Sequence, residues 1–319
     1  MNLVKKKIGP ISLWWIFLVG FFALMGVIVG SFVDLEISKV IAKNGNTFGK
    51  IVESYIPMLG CSVATISGAI ITKPMFRKEC KKRVWLSGIL LVILVIVIPA
   101  FFSASYVTGQ SGYSWKYNKW IGFSWLILLY IGIYFLVFYF VDGNLPTKVL
   151  VRNGLYILAG FIITEVVINT VLKGLIYRPR YRALAWDNLN QGTAALGFDY
   201  YQNWWSFAFW KKPEWFYDLG IPSDYIKSWP SGHTATSACL LLLPFASTCL
   251  KKRSTIIDAT VFIIATIFVI ITALGRMIAG AHFLSDVSSA IFITLFLMFL
   301  PCILVDKITS KIFDKEKCI

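Results

Sequence analysis

Long apolar runs alternate with short basic interruptions along this chain, and the alternation predicts its architecture. Runs at roughly 11–33, 52–72, 84–105, 120–141, 153–172, 234–250, 255–275 and 283–305 approach or exceed the length that crosses a hydrocarbon layer as helix. They predict an all-α polytopic membrane helix bundle with about eight transmembrane helices. The run at 52–72 fits least well, because it carries Glu53, Ser54, Tyr55 and several Gly and Ser. It is expected to be a tilted or partly buried helix. About four spans fall within residues 1–152, an N-terminal set of helices, and the rest within 153–319. One large polar excursion, about 174–232, separates the fifth and sixth runs. Its Trp186, Trp204, Trp205, Trp210, Trp215 and Trp229 suit an interfacial belt at headgroup level. They suit equally a rim that guides an amphiphile toward a site.

Composition strengthens the membrane reading. Of 319 residues, 57% are hydrophobic and 15% charged, which excludes an ordinary soluble domain. A net charge of +15 would point to nucleic acid in a soluble protein. Here the basic residues sit in short loops between apolar runs, so no nucleic-acid partner is implied. With a cytoplasmic N-terminus, the inside segments are Lys5 to Lys7, Lys73 to Arg83, Lys148 with Arg152, Lys251 to Arg253, and the tail with Lys307, Lys311, Lys315 and Lys317. These hold eighteen of the 31 Lys and Arg, a strong positive-inside bias, and an even number of spans returns the tail to the cytoplasm. The basic start looks like that of a signal peptide, but the run after it spans a bilayer and has no A-x-A site, so a retained first helix is expected. The cysteines (Cys61, Cys80, Cys239, Cys249, Cys302 and Cys318) show neither CxxC nor zinc spacing and imply no disulfide framework. No N-x-S/T sequon occurs, which fits a bacterial source.

Candidate chemistry centres on the only two histidines. His233 follows Pro230-Ser231-Gly232 at the start of the sixth span, and His282 opens the eighth. The fifth span exits at Lys173 with Arg178, Arg180 and Arg182 behind it, and the seventh exits at Arg276. Parity puts these two exits and two entries on one side of the membrane. The resulting surface suits an anion. Ser231 and Gly232 at a helix start offer a hydroxyl and free backbone N–H groups, while Lys173, Arg180 and Arg276 supply charge-assisted hydrogen bonds. Arg178 and Arg182 can be read as binding lipid headgroups. Asp286 is four residues after His282, so on one helix it could accept the proton of one imidazole nitrogen and leave the other as nucleophile. His233 could then protonate a leaving oxygen. Neither metal nor cofactor is needed, and no obligatory protein partner is evident.

These residues resemble the motifs of the type 2 phosphatidic acid phosphatase superfamily, membrane lipid phosphatases sharing a core with vanadium haloperoxidases. Its pattern is K-x6-R-P, P-S-G-H and S-R-x5-H-x3-D. The chain has Lys173-x6-Arg180 with Tyr181 in place of Pro, an intact Pro230-Ser231-Gly232-His233, and Gly275-Arg276-x5-His282-x3-Asp286 with Gly in place of Ser. The resemblance implies His282 as the nucleophile of a phosphohistidine, Asp286 as its orienting partner and His233 as the acid. It implies Lys173, Arg180, Ser231, Gly232 and Arg276 as phosphate ligands. It also implies a six-span core, so that helices such as 84–105 and 120–141 would be an elaboration. The expected function is hydrolysis of lipid phosphate monoesters or isoprenyl pyrophosphates at the outer face of a cell membrane. A related phosphotransferase, and a non-enzymatic transporter or scaffold whose basic patch binds membrane lipids, are the alternatives.

Overall fold

The structure is a computed structural model that describes residues 7–77, 81–107, 119–187, 194–206, 208–209, 212–219, 222–298 and 300–313. Lys5, Lys6, Cys80, Trp210, Lys315, Lys317 and Cys318 lie outside these residues. Every one of the eight apolar runs is helical. Six helices among the described residues are long and apolar enough to cross a membrane. They are α1 (Leu13–Ile41), α2 (Thr47–Thr72), α3 (Lys82–Val107), α4 (Lys119–Phe140), α5 (Thr147–Thr164, prolonged as a π-helix over Glu165–Leu172) and, later in the chain, Thr255–Ile278.

The sixth and eighth runs are broken helices. The sixth is α6 (Gly232–Ala238), a 3-10 turn at Cys239–Leu242 and α7 (Leu243–Ser247). Pro244 explains the break, since it has no N–H for Leu240 and its ring crowds that carbonyl. An interrupted backbone survives in a bilayer only when wrapped in protein, and nearly every residue from Ser231 to Ser247 is buried. The seventh run is α8 (Thr255–Ile278), and the eighth divides into α9 (Leu284–Leu297) and α10 (Leu300–Phe313), with Pro301 in the first turn of the latter.

Two helices fix how the bundle closes. α2 is its buried centre, as its mixed composition anticipated. Gly49, Gly60 and Gly68 let neighbours approach so closely that a Cβ would meet Ala279 Cβ at 3.0 Å, the Thr236 carbonyl oxygen at 2.3 Å and Val95 Cγ2 at 2.4 Å. α3 and α4 pack outside it, joined by Thr65 Oγ1 to the Val95 carbonyl (2.6 Å), Tyr130 Oη to the Met58 carbonyl (3.0 Å) and the Thr72–Tyr134 hydroxyl pair (2.6 Å). α1 is apolar nearly all round and exposes Phe17, Phe21, Phe22 and Phe32. Its one narrow buried stripe includes Gly30, Asp34 and Ser38 and lies along α9. Cys61, Cys239 and Cys249 are buried free thiols.

At one end the basic loops meet. Arg77 donates to the Gly143 and Leu145 carbonyls, Arg253 lies 3.9 Å from Asp142, and Arg152 lies 4.0 Å from Asp306. At the other end the 174–232 excursion folds back over the helix ends. Ile176–Tyr177 pairs antiparallel with Ala208–Phe209, and Arg178 and Arg180 donate backbone N–H bonds to Ile226 and Tyr225. Two of its tryptophans are anchors rather than a belt. Trp204 stacks on buried Trp229 (6.0 Å, 10°) and donates to Ser31 Oγ of α1, and Trp229 donates to Ser289 Oγ of α9.

Candidate active site

The residues that the sequence singled out come together beneath this excursion. Lys173 follows the π-helix, Arg180 caps the short helix Tyr181–Ala185, and Ser231 caps α6, which carries Gly232 and His233. Arg276 lies in the last turn of α8, while His282 and Asp286 flank the start of α9. The charges of Arg180, Arg276 and Lys173 all act on His282, and those of Arg276, Glu53, Lys173 and His282 act on His233.

His282 is fully buried, and its two ring nitrogens differ. Nδ1 lies 2.6 Å from the Ser228 carbonyl oxygen, and Nε2 has no hydrogen-bond partner. Since a carbonyl only accepts, Nδ1 carries the proton and Nε2 the lone pair. Burial, then Arg180, Arg276 and Lys173, push the imidazole well below its ordinary value, so the neutral ring is favoured.

Asp286 does not hold the ring in the way its spacing implied. Its Oδ2 is 3.8 Å from His282 Nδ1, beyond a hydrogen bond. The physical reason is the helix start. α9 begins at Leu284 with Phe283 as N-cap, so His282 is not on the helix and the rule for residues four apart does not apply. Asp286 instead accepts from Phe283 N (2.8 Å), Ser228 Oγ (2.5 Å) and Arg178 Nη1 (2.5 Å). Its link to the ring runs through Ser228, whose carbonyl accepts the Nδ1 hydrogen bond.

Arg178 is likewise not a headgroup ligand. It is 1% exposed, donates to Asp286 and to Asp34 Oδ2 of α1 (2.9 Å), and covers the Phe283 ring at 4.2 Å. Arg182 is partly buried, its side chain 9% exposed, 3.5 Å from Glu53 and 3.4 Å from Asp224. A charge this deep persists only when paired, which outweighs lipid contact.

The expected phosphate ligands divide into engaged and available groups. Arg180 donates to the Asp224 carbonyl (2.8 Å) and carboxylate (2.7 Å); burial pulls its pKa down to about 10. Arg276, with no exposure, places Nη1 2.8 Å from Glu53 Oε1, while Nε and Nη2 have no hydrogen-bond partner. Lys173 lies against Gly232, where a Cβ would come within 3.1 Å of Lys173 Cε and 2.0 Å of Asn169 Oδ1. A side chain there would displace Asn169 and press on Lys173. Ser231 spends its groups on structure: its N–H bonds the Asp286 carbonyl (3.1 Å), and its Oγ accepts from Thr234 N (3.4 Å) as the helix cap. Lys173, Arg180, Arg182 and Arg276 face Glu53 and Asp224, while Arg178 is shared between Asp34 and Asp286, so cations outnumber carboxylates around His282. That excess suits an anionic headgroup.

One of the two departures from the motif pattern has a structural cause. A Cβ at Gly275 would lie 2.5 Å from Val52 Cγ1 and 2.6 Å from Val52 Cβ. The missing side chain is thus the space through which α2 brings Glu53, the next residue, to Arg276. Tyr181 begins its short helix and packs edge-on against Phe283 (6.4 Å), next to His282.

A family model described as the PAP2 superfamily matches residues 154–309. Residues 154–309 thus form a PAP2 superfamily domain. No curated protein and no solved structure matches the chain. Membership, with the apolar helices, supports a membrane phosphatase-type function. Sequence reasoning passed over Asp34, Asp224 and Ser228 and used Glu53 only to judge a span. Asp34 and Glu53 did carry a signal, because a carboxylate beside or inside an apolar run is costly without a purpose.

Proposed function

We propose that the chain hydrolyses lipid phosphate monoesters or isoprenyl pyrophosphates through a phosphohistidine on His282, without metal. The ring of His282 carries this reading: Nδ1 is tied to a carbonyl and Nε2 is buried and unpartnered among Arg180, Arg276 and Lys173. Such a nitrogen is a nucleophile aimed into a cationic recess. Nε2 attacks phosphorus, the bond from phosphorus to the lipid-side oxygen breaks, and that oxygen takes a proton from His233. Water then attacks the phosphohistidine, yields a proton to His233 and releases inorganic phosphate, returning the electron pair to His282. Arg276 and Lys173 hold the phosphate oxygens with Arg180 behind them. Asp286 orients the ring through Ser228.

Substrate enters from the bilayer with its tail in lipid and its headgroup beneath the 174–232 excursion. The positive-inside bias supports cytoplasmic termini and a site on the outer face of a cell membrane. Phosphatidic acid, phosphatidylglycerol phosphate and undecaprenyl pyrophosphate share the required headgroup chemistry, and an outward site favours the last. The test is phosphate release from these lipids by purified protein in EDTA, beside His282→Ala and His233→Ala. Activity is expected to survive chelation and to collapse in both variants. Full activity in His282→Ala would end the mechanism, and a phosphorylated acceptor in place of free phosphate would make the protein a transferase.

A further inference from the structure

We propose that Asp34, on a helix outside the family-matched region, is a positioning residue for phosphoryl transfer. It fixes Asp286 through Arg178 and Ser285, and Asp286 fixes the His282 ring through Ser228. The inference rests on the nucleophilic role proposed for His282.

Asp34 is 1% exposed on α1, a helix that is otherwise mostly apolar and largely exposed. A carboxylate there is expensive, so its partners reveal its purpose. Oδ1 accepts the backbone N–H of Ser285 (2.9 Å), and Oδ2 accepts Arg178 Nη2 (2.9 Å) and the Ser285 hydroxyl. Both partners belong to the catalytic end. Ser285 immediately precedes Asp286, and its Oγ also takes a bond from Arg178 Nη1 (2.9 Å). Arg178 thus spans two carboxylates, with Nη2 on Asp34 and Nη1 on Asp286. Without Asp34, one arm of a buried guanidinium would keep only a 3.4 Å bond to Tyr201 Oη, and one helix-start N–H would lose its acceptor. Arg178 would then turn toward Asp286, the only other carboxylate paired with it among the described residues.

Local geometry shows that α1 is shaped for this contact. Its backbone leaves helical values at Val33 (φ −131°, ψ 17°), one residue before Asp34. Gly26 and Gly30 bring it against α9 so tightly that a Cβ would meet Ser288 Oγ at 2.2 Å and Ser285 N at 2.6 Å. A helix needed only for packing has no reason to bring a carboxylate here.

The experiment uses the full chain in lipid nanodiscs, with radiolabelled lipid phosphate and rapid quenching. It reads the rate constant of phosphoenzyme formation, which an inactive fraction of protein does not change. Asp34→Asn is expected to lower that constant and kcat roughly 10- to 100-fold, the usual scale for residues that orient a reacting group. KM should stay within about threefold, because phosphate ligands are untouched. The double variant Asp34→Asn/Asp286→Asn should lose little beyond Asp286→Asn alone, since the residues act as one unit. Ser285→Ala keeps the Arg178–Asp34 pair and serves if Asp34→Asn folds poorly; a loss of about threefold to tenfold is expected. A rate constant within about twofold of wild type in the folded variant, with only yield or melting temperature lowered, would make Asp34 merely structural. Persistent activity in His282→Ala would instead overturn the functional reading, and this inference with it.

Discussion

Gly275 offers the sharpest structural test, because the family pattern places a serine where this chain has none. The expected perturbation is Gly275→Ala, which adds one methyl in the last turns of α8. That carbon would lie 2.5, 2.6 and 2.7 Å from Val52 Cγ1, Cβ and Cγ2, all far inside contact distance. Val52 is 1% exposed and β-branched, so its χ1 is stiff and it cannot swing away. Only a shift of α2 relieves the clash, and overpacking of this kind costs about 1–3 kcal/mol. The shift also draws Glu53 from Arg276, now 2.8 Å apart, and exposes the phosphate site to an unbalanced charge. The assay is thermal unfolding in one fixed detergent, with kcat/KM on the same samples. Gly275→Ala should melt several degrees lower with reduced kcat/KM. Adding Val52→Ala should restore part of both, since it removes two of the three close carbons. Wild-type melting and activity in Gly275→Ala would refute the account of how α2 reaches the site.

Other expectations follow from the same charges. Glu53→Ala removes the carboxylate beside the fully buried Arg276 and is expected to cost about 3–5 kcal/mol of stability; a phosphate product ion should inhibit the surviving protein more tightly, and unchanged inhibition would contradict the pairing. Burial raises the Asp224 carboxyl, but Arg180 and Arg182 outweigh it and hold the group below its ordinary 3.8. A depressed folded value stabilises above the unfolded one and loses that stabilisation as pH falls through the folded one. The melting gap between wild type and Asp224→Asn should therefore be full near neutral pH and close below about pH 4; a gap independent of pH would sink the point. His282 is held below its ordinary 6.5, so the ring stays neutral as pH falls past that value. The acid limb of kcat/KM, measured with a substrate whose own ionisation is known, should lie below 6.5; a limb above it assigned to His282 would contradict the buried cationic recess.

Hydrophobic spacing revealed all eight helical segments, because a bilayer leaves few other solutions for runs of that length. It did not reveal that the sixth and eighth are broken, although Pro244 and Pro301 marked both places. Motif spacing pointed to His233, His282, Lys173, Arg180 and Arg276, since four of them flank the ends of runs, Arg180 follows one, and parity gathers those ends. What failed was the register between helices and the fine geometry of their starts. Asp286 was expected to touch His282 as a helical neighbour, but the helix begins two residues after the histidine. Arg178 was assigned to lipid because its partners, Asp34 and Asp286, lie 144 and 108 residues away. Nothing local in the sequence links them. The partition at 152 also hides a fact of packing, since α1 and α2 place Asp34 and Glu53 in the site that the later helices build.

The phosphohistidine is the centre of this account, and trapping it is the most direct test. Radiolabelled lipid phosphate, mixed with the protein and quenched in base, should leave acid-labile label on the peptide that contains His282. His282→Ala should carry none. Label on another residue, or equal label in His282→Ala, would contradict the mechanism.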